Sequence, residues 1–285
     1  MRVVITGAGG NLGGKLIAHL QSAPWCSAIT GIDPKPLADN GKFHAVSADL
    51  RDPHDRRWID PTQQADAVVH FAAQNPAPDS NWLEASQSID MTMNLLQWVG
   101  HTPCRFVFAS SNHVMGGYKD APLPPGQLLT ADTPPNPGTR FFDGYDYRRP
   151  TAYGASKLMG ERAVAARSAA SLLTGVNVRI GWVQPGENRP ETIDLRGGGH
   201  RAGPSLPSND EIERSMPWFR GMWMSNRDFV SLMEKALTAP AASWPARAIV
   251  VNGVSNNTGT AWQLDDTRRW LGYAPMDDIA AGQLR

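Results

Sequence analysis

Tyr153 and Lys157 stand four residues apart in the segment Tyr153-Gly-Ala-Ser-Lys157. On a helix, positions i and i+4 share one face about one turn apart. An ammonium placed there lowers the cost of ionising the phenol, whose ordinary pKa is about 10. A phenol tuned toward neutral pH is a usable general acid or base for an alcohol or a carbonyl. The pair alone is a weak signal, because Tyr-x-x-x-Lys arises by chance in many helices. Two other features give it weight. Ser110 and Ser111 close an apolar, strand-like run upstream, and a glycine-rich turn opens the chain.

That turn is Thr6-Gly7-Ala8-Gly9-Gly10-Asn11-Leu12-Gly13. It follows Arg2-Val3-Val4-Ile5, a β-branched run that reads as a buried strand. It precedes Leu12 to Leu20, whose Leu12, Leu16, Ile17 and Leu20 fall on one helical face. Strand, glycine turn and helix are the context a dinucleotide fingerprint requires. In that reading Gly7 allows the tight turn, Gly10 lets backbone N–H groups approach a pyrophosphate, and Gly13 lets the helix pack closely on the sheet. The helix N-terminus, with Asn11 and Leu12 in its first turn, adds favourable partial charge for phosphates. The spacing is Gly-x-x-Gly-x-x-Gly, although Gly9 blurs it. The next strand-like run, Ala28 to Ile32, ends at Asp33. An acidic residue about twenty positions past the turn accepts hydrogen bonds from ribose hydroxyls and repels a 2′-phosphate, which favours NAD over NADP. Lys35 nearby partly offsets that preference.

The elements that must position these residues alternate between strand and helix patterns, the signature of a doubly wound, Rossmann-type α/β fold with a parallel sheet. Strands are expected at Val3–Thr6, Ala28–Ile32, Phe43–Ser47, Ala67–Phe71, Phe106–Ala109, Val176–Arg179 and Ala248–Asn252. Helices are expected at Leu12–Gln21, Trp82–Val99, Ala152–Ala170, Arg227–Ala236 and Ala261–Leu271. Residues 1–181 would form the dinucleotide-binding domain with the Ser, Tyr and Lys. Residues 182–285 would form a small substrate-binding region interleaved with the last sheet elements, in one compact unit. Proline and glycine concentrate in Ala121–Pro150 and Gln184–Pro217, which read as long loops able to cover the site. Asp33, Asp49, Phe71, Ala72, Ala73, Ser111, Ile180 and Gly181 all stand at or just past expected strand ends, where such sheets bind ligands.

In order and spacing these tracts resemble the extended short-chain dehydrogenase/reductases, the NAD-dependent epimerase and dehydratase superfamily. The matching residues are Thr6-Gly7-x-x-Gly10-x-x-Gly13, Asp33, Asp49-Leu50, His70-Phe71-Ala72-Ala73, Phe108-Ala109-Ser110-Ser111 and Tyr153-x-x-x-Lys157, through the first two-thirds of the chain. Within that superfamily the chain looks most like uronate dehydrogenases. That likeness rests on Ser110-Ser111-Asn112-His113, Val178-Arg179-Ile180-Gly181, Ser225 to Leu232, Asn252 to Asn257 and Leu271-Gly272-Tyr273-x-Pro275. The chain departs from the subgroup at Trp182, where a small polar residue is usual, and in the stretch from about Gly186 to Pro217, which looks like an insertion.

The resemblance implies NAD as cofactor and assigns roles. Ser111, the second serine of the pair, would bond the reacting oxygen. Tyr153 would be the general base, and Lys157 would stabilise its phenolate and bind the nicotinamide ribose. Asp49 and Leu50 would neighbour the adenine, with Phe71, Ala72 and Ala73 along the ribose and pyrophosphate, and Ile180 beside the cofactor. Asp90 occupies the place of a helix asparagine frequent in the family, and Asn94 fits a structural role. The implied reaction is oxidation of a cyclic sugar or sugar acid at C1 to a lactone. Asn112, His113, Gln74 and Asn75 would bind sugar hydroxyls, and Arg189 or Arg220 a carboxylate, for which a guanidinium fork is best suited. A nucleotide-sugar epimerase or dehydratase that recycles bound NAD is the alternative. A homodimer built partly on the Tyr153 helix is also implied, although the apolar positions on that helix equally suit a monomer's core.

Composition narrows the field. Twenty-seven basic and 27 acidic residues leave a formal net charge of zero, which argues against a nucleic-acid footprint or a polybasic membrane contact. No apolar run approaches the roughly 20 residues a membrane helix needs. Met1 leads straight into the first strand, so no signal peptide and a cytoplasmic location are expected. Cys26 and Cys104 form no disulfide framework and have no metal-ligand spacing, and His113 has no partner spaced to make it a metal ligand.

Overall fold

The computed structural model describes residues 1–193 and 207–280. Its seven-stranded sheet is built from β1 (Arg2–Thr6), β2 (Ala28–Asp33), β3 (Phe43–Ser47), β4 (Ala67–His70), β5 (Cys104–Ser111), β8 (Leu173–Ile180) and β9 (Ala248–Gly253). Every pairing in it is parallel, in the order β3-β2-β1-β4-β5-β8-β9. The two remaining strands, β6 (Phe141–Phe142) and β7 (Tyr147–Arg148), pair antiparallel as a separate ribbon. Strand order reverses between β1 and β4, and a doubly wound sheet opens a crevice at that point, beyond the carboxyl ends of its strands.

Central parallel strands are buried on both faces, which explains their nearly continuous apolar sequence. Side chains alternate between the faces. Val3, Ile5, Val69 and Val107 join one core with Leu16 and Leu20 of α1 (Asn11–Ser22) and Phe229 and Leu232 of α6 (Asn226–Thr238). Val4, Val68, Phe106 and Phe108 join the other with Trp58 of α2 (Arg56–Gln63), Leu95 and Leu96 of α3 (Trp82–Trp98) and Val164 of α4 (Ala152–Ala169). At α2, α3 and α6 the helix start is set by a side chain that caps free N–H groups. Asn81 and Glu84 form a reciprocal capping box at α3, and Ser225 accepts from the Asp228 N–H at α6. Each such cap contributes about 1 kcal/mol.

The expected strands are all present, and four of the five expected helices keep their ends to within about two residues. The fifth, α7, starts at Asp265 rather than Ala261. Ala261 and Gln263 bond in extended form to Leu129, whose N–H donates to the Ala261 carbonyl at 2.8 Å and whose carbonyl accepts from the Gln263 N–H at 2.9 Å. The stretch Gln184–Pro217 is also not wholly loop. Helix α5 (Asn209–Gly221) runs through Pro217, started by Ser208 accepting from the Glu211 N–H and held by buried Trp218 and Phe219. Tertiary packing here outweighs the intrahelical bond that proline removes. Residues 194–206 of the expected insertion lie outside the described residues. Helix α2, which contains Pro61, has no counterpart in the expected elements.

Candidate active site

Gly7 adopts φ +69°, and a Cβ there would meet the Ala72 nitrogen at 2.9 Å, so only glycine fits the turn. At Gly13 a Cβ would stand 2.4 Å from the Gly7 carbonyl oxygen. The helix start is thereby packed directly onto the turn, and its first residues Asn11, Leu12 and Gly13, whose N–H groups lack intrahelical acceptors, line the cleft. Asp33 is anchored at the end of β2 by the N–H groups of Gly9 (3.0 Å) and Lys35 (2.9 Å).

The turn is tied to its neighbours by a chain of hydrogen bonds. Thr6 Oγ1 accepts the Ala72 N–H at 3.3 Å and lies 2.7 Å from His70 Nδ1, while His70 Nε2 lies 3.0 Å from Thr92 Oγ1. Thr92 Oγ1 donates to the Ser88 carbonyl. Thr92 has already given its one proton, so it accepts from His70 Nε2–H, and in the neutral ring Nδ1 accepts from the Thr6 hydroxyl. Burial, reinforced by the charge of Lys157, pushes His70 down to about 3. The arrangement joins β1, β4 and α3 at the wall formed by Phe71, Ala72 and Ala73.

A cleft of about 700 Å³ runs along the carboxyl ends of the strands from β3 to β8. Five inter-strand gaps of about 4.8 Å each span roughly 24 Å, a length suited to an extended dinucleotide. The expected cofactor residues all line it: Gly7, Gly10, Asn11, Leu12, Gly13, Asp33, Asp49, Leu50, Phe71, Ala72, Ala73 and Ile180. So do Ser111, Tyr153, Lys157, Gln74, Asn75, Asn112 and His113. Asn11 is engaged by its own fold, since its amide donates to the Val183 carbonyl at 2.9 Å. Asp49 is gripped by Arg51, which holds its carboxyl below the usual range. Asn94 donates to the Leu50 carbonyl at 2.8 Å and so supports the β3 end from α3.

At the other end, β5 delivers Ser111 and α4 delivers Tyr153 and Lys157. Ser111 Oγ accepts the His113 N–H at 3.2 Å and lies close enough to the Tyr153 phenol to favour its ionised form. Lys157 Nζ donates to the Ala109 carbonyl at 2.7 Å and lies 5.7 Å from the centre of the Tyr153 ring. His113 stacks edge-on against Tyr153 at 5.7 Å, its Nδ1 is 2.7 Å from Thr139 Oγ1, and burial pushes it down to about 4. Burial raises the Tyr153 phenol above its ordinary value, with nearby Ser111 opposing it. Lys157 is itself pushed down to about 8 by burial. The expectation that Lys157 lowers the phenol therefore needs correcting for the protein alone, because desolvation of the phenolate dominates.

The two arginines expected to grip a carboxylate stand outside the cleft lining. Arg189 pairs with Glu187, and Arg220 donates to the Ile279 carbonyl at 3.0 Å. Among the described residues the lysines and arginines that line the cleft are Lys35, Arg51 and Lys157. Asn75 is partly committed to Glu84 and to the Ala77 N–H, whereas Asn112, 2% exposed, has no partner on either amide atom. Sequence reasoning did not assign Met222, which follows α5 and faces the cleft beside Trp182. Among the described residues, no group of three or more His, Cys, Asp or Glu side chains could hold a metal, and no helix is long and apolar enough to cross a membrane.

The chain is similar to proteins already known. Residues 3–191 match the model of the NAD dependent epimerase/dehydratase family. The chain is 30% identical to an L-arabinose 1-dehydrogenase (NAD(P)(+)) of Haloferax volcanii, over 98% of both proteins. It is 24% identical to a uronate dehydrogenase of Pseudomonas putida, over 97% of this chain and 84% of that one. Among solved structures, a uronate dehydrogenase mutant from Agrobacterium tumefaciens complexed with NAD superposes with a TM-score of 0.66, at 25% identity, over 98% of this chain and 86% of that one. The glycine turn, Asp33 and the bare Gly10 backbone fit NAD. The chain belongs to the NAD dependent epimerase/dehydratase family, and NAD is its cofactor.

Proposed function

We propose that this NAD-dependent dehydrogenase oxidises a free sugar or sugar acid at C1 to the lactone. The observation that carries the proposal is the meeting of Ser111, Tyr153 and Lys157 at one end of a cleft whose other end is built around Asp33. Bound NAD supplies the hydride acceptor for the C1 hydrogen. Tyr153 takes the proton of the C1 hydroxyl, so the sugar loses a hydride and a proton and gains the C1 carbonyl. Ser111 donates to the reacting oxygen and holds it within reach of the phenol. Lys157 stabilises the phenolate against the desolvation that raises its pKa. Asn112 offers a donor and an acceptor to sugar hydroxyls, because its buried amide has neither satisfied by the protein. Neutral His113 and Trp182 complete an uncharged wall.

With Arg189 and Arg220 engaged elsewhere, this lining favours hydroxyl recognition over carboxylate recognition. The L-arabinose dehydrogenase relative points the same way and the uronate dehydrogenases the other. The test is NADH formation with L-arabinose, D-galactose, D-glucuronate, D-galacturonate and UDP-glucuronate, with identification of the product. Lactone and stoichiometric NADH from a free sugar support the proposal. Tightly retained NAD with conversion of the nucleotide sugar and no net NADH contradicts it in favour of an epimerase or dehydratase.

A further inference from the structure

The helix face that carries Tyr153 and Lys157 carries a third polar residue. Glu161 lies one turn beyond Lys157 and is 3% exposed. Its Oε1 accepts the Ser110 hydroxyl at 2.6 Å and Arg179 Nε–H at 2.9 Å, and its Oε2 accepts Arg179 Nη2–H at 3.0 Å. Arg179 is as deeply buried, with Nη1 3.3 Å from the Met115 sulfur. Ser110 and Arg179 face each other in register across β5 and β8. One carboxylate therefore joins α4 to two strands, one residue before Ser111 on β5 and one before Ile180 on β8. The Lys157 bond to the Ala109 carbonyl is the second tie between α4 and the end of β5.

Replacing such a buried pair by apolar residues is often neutral or stabilising, so the pair is weak evidence of stabilisation and points to a geometric role. Ser111 and Tyr153 come from different elements, and a misplacement of about 1 Å between reacting groups can cost a hundredfold in rate. We propose that Glu161, clamped by Arg179 and Ser110, is a positioning residue that fixes α4 against β5 and thereby sets the separation of the Ser111 and Tyr153 hydroxyls. The inference rests on the assignment of Ser111, Tyr153 and Lys157 as the reacting groups.

Two variants test it. Ser110→Ala cuts the tie to β5 and leaves the ion pair. The double variant Glu161→Leu with Arg179→Met removes both charges together and leaves no lone buried ion. With L-arabinose and D-glucuronate as probes, kcat falls by roughly tenfold to a hundredfold in both variants, while KM and NAD affinity stay at parent values. Crystal structures of the variants show the Ser111–Tyr153 hydroxyl separation changed by about 1 Å. Folded variants with parent kcat and parent separation overturn the proposal, and Ser110→Ala alone decides if the double variant fails to fold. A parent enzyme that makes no NADH from any sugar contradicts the reading of the reaction instead. The hydroxyl separation then judges the clamp by itself.

Discussion

Acid should unfold this protein through two histidines that line or brace the cleft. An unfolded histidine titrates near 6.5, whereas folded His70 is pushed down to about 3 and His113 to about 4. Both pKa values are depressed, so the fold holds the neutral rings and the unfolded chain takes up protons more readily. The resulting stability is fully present above pH 6.5 and is lost as pH falls from 6.5 toward 4 and 3. A pH of about 5 lies about 1.5 units below the unfolded pKa and above both folded values, so at 1.36 kcal/mol per unit each ring loses about 2 kcal/mol. The pair together loses about 4 kcal/mol between about pH 8 and pH 5, a large share of the roughly 5–15 kcal/mol that holds a domain folded. Urea unfolding at the two pH values measures it, with His70→Gln and His113→Gln alongside the parent. Each substitution costs stability at pH 8 but should remove about half of the parent's acid-induced loss. Variants that lose as much stability on acidification as the parent would refute the reasoning.

Gly13→Ala pushes a methyl into the Gly7 carbonyl and should cost about 1–3 kcal/mol in unfolding experiments, with NAD affinity reduced as α1 is forced off the turn. Asp33→Ser removes the carboxylate proposed to meet the ribose while Lys35 and Arg51 remain, so the ratio of kcat/KM for NADP to that for NAD should rise at least about tenfold in paired assays. Asn112→Ala deletes the unpartnered amide and should lower kcat/KM for the sugar by about tenfold or more, leaving NAD affinity unchanged by fluorescence titration.

The sheet was legible because its strands are buried on both faces and read as apolar runs between turn residues. Val3 to Ile5 and Phe106 to Phe108 are clear cases. The place of Gly7, Gly13 and Asp33 at one end of the cleft was legible for a local reason, since they follow one another at fixed offsets from β1 and β2. Other features depend on contacts distant in sequence. The late start of α7 is set by Leu129, more than a hundred residues upstream. The passage of α5 through Pro217 is set by burial of Trp218 and Phe219, which composition cannot reveal. Arg189 and Arg220 had the right chemistry for a carboxylate, but nearby Glu187 and the Ile279 carbonyl claim them. The phenol of Tyr153 shows the same limit. Spacing places Lys157 beside it, but only the depth of the cleft decides whether burial or the neighbouring charge wins.

In the proposed reaction Tyr153 moves the proton while NAD takes the hydride. The direct measurement compares NADH formation from L-arabinose and D-glucuronate by the parent and by Tyr153→Phe, with NAD binding measured on both. The expected result is NADH from at least one of these sugars by the parent and a fall in kcat of about a hundredfold to ten-thousandfold in the variant, with NAD bound as tightly as before. A variant that keeps the parent's kcat would contradict it.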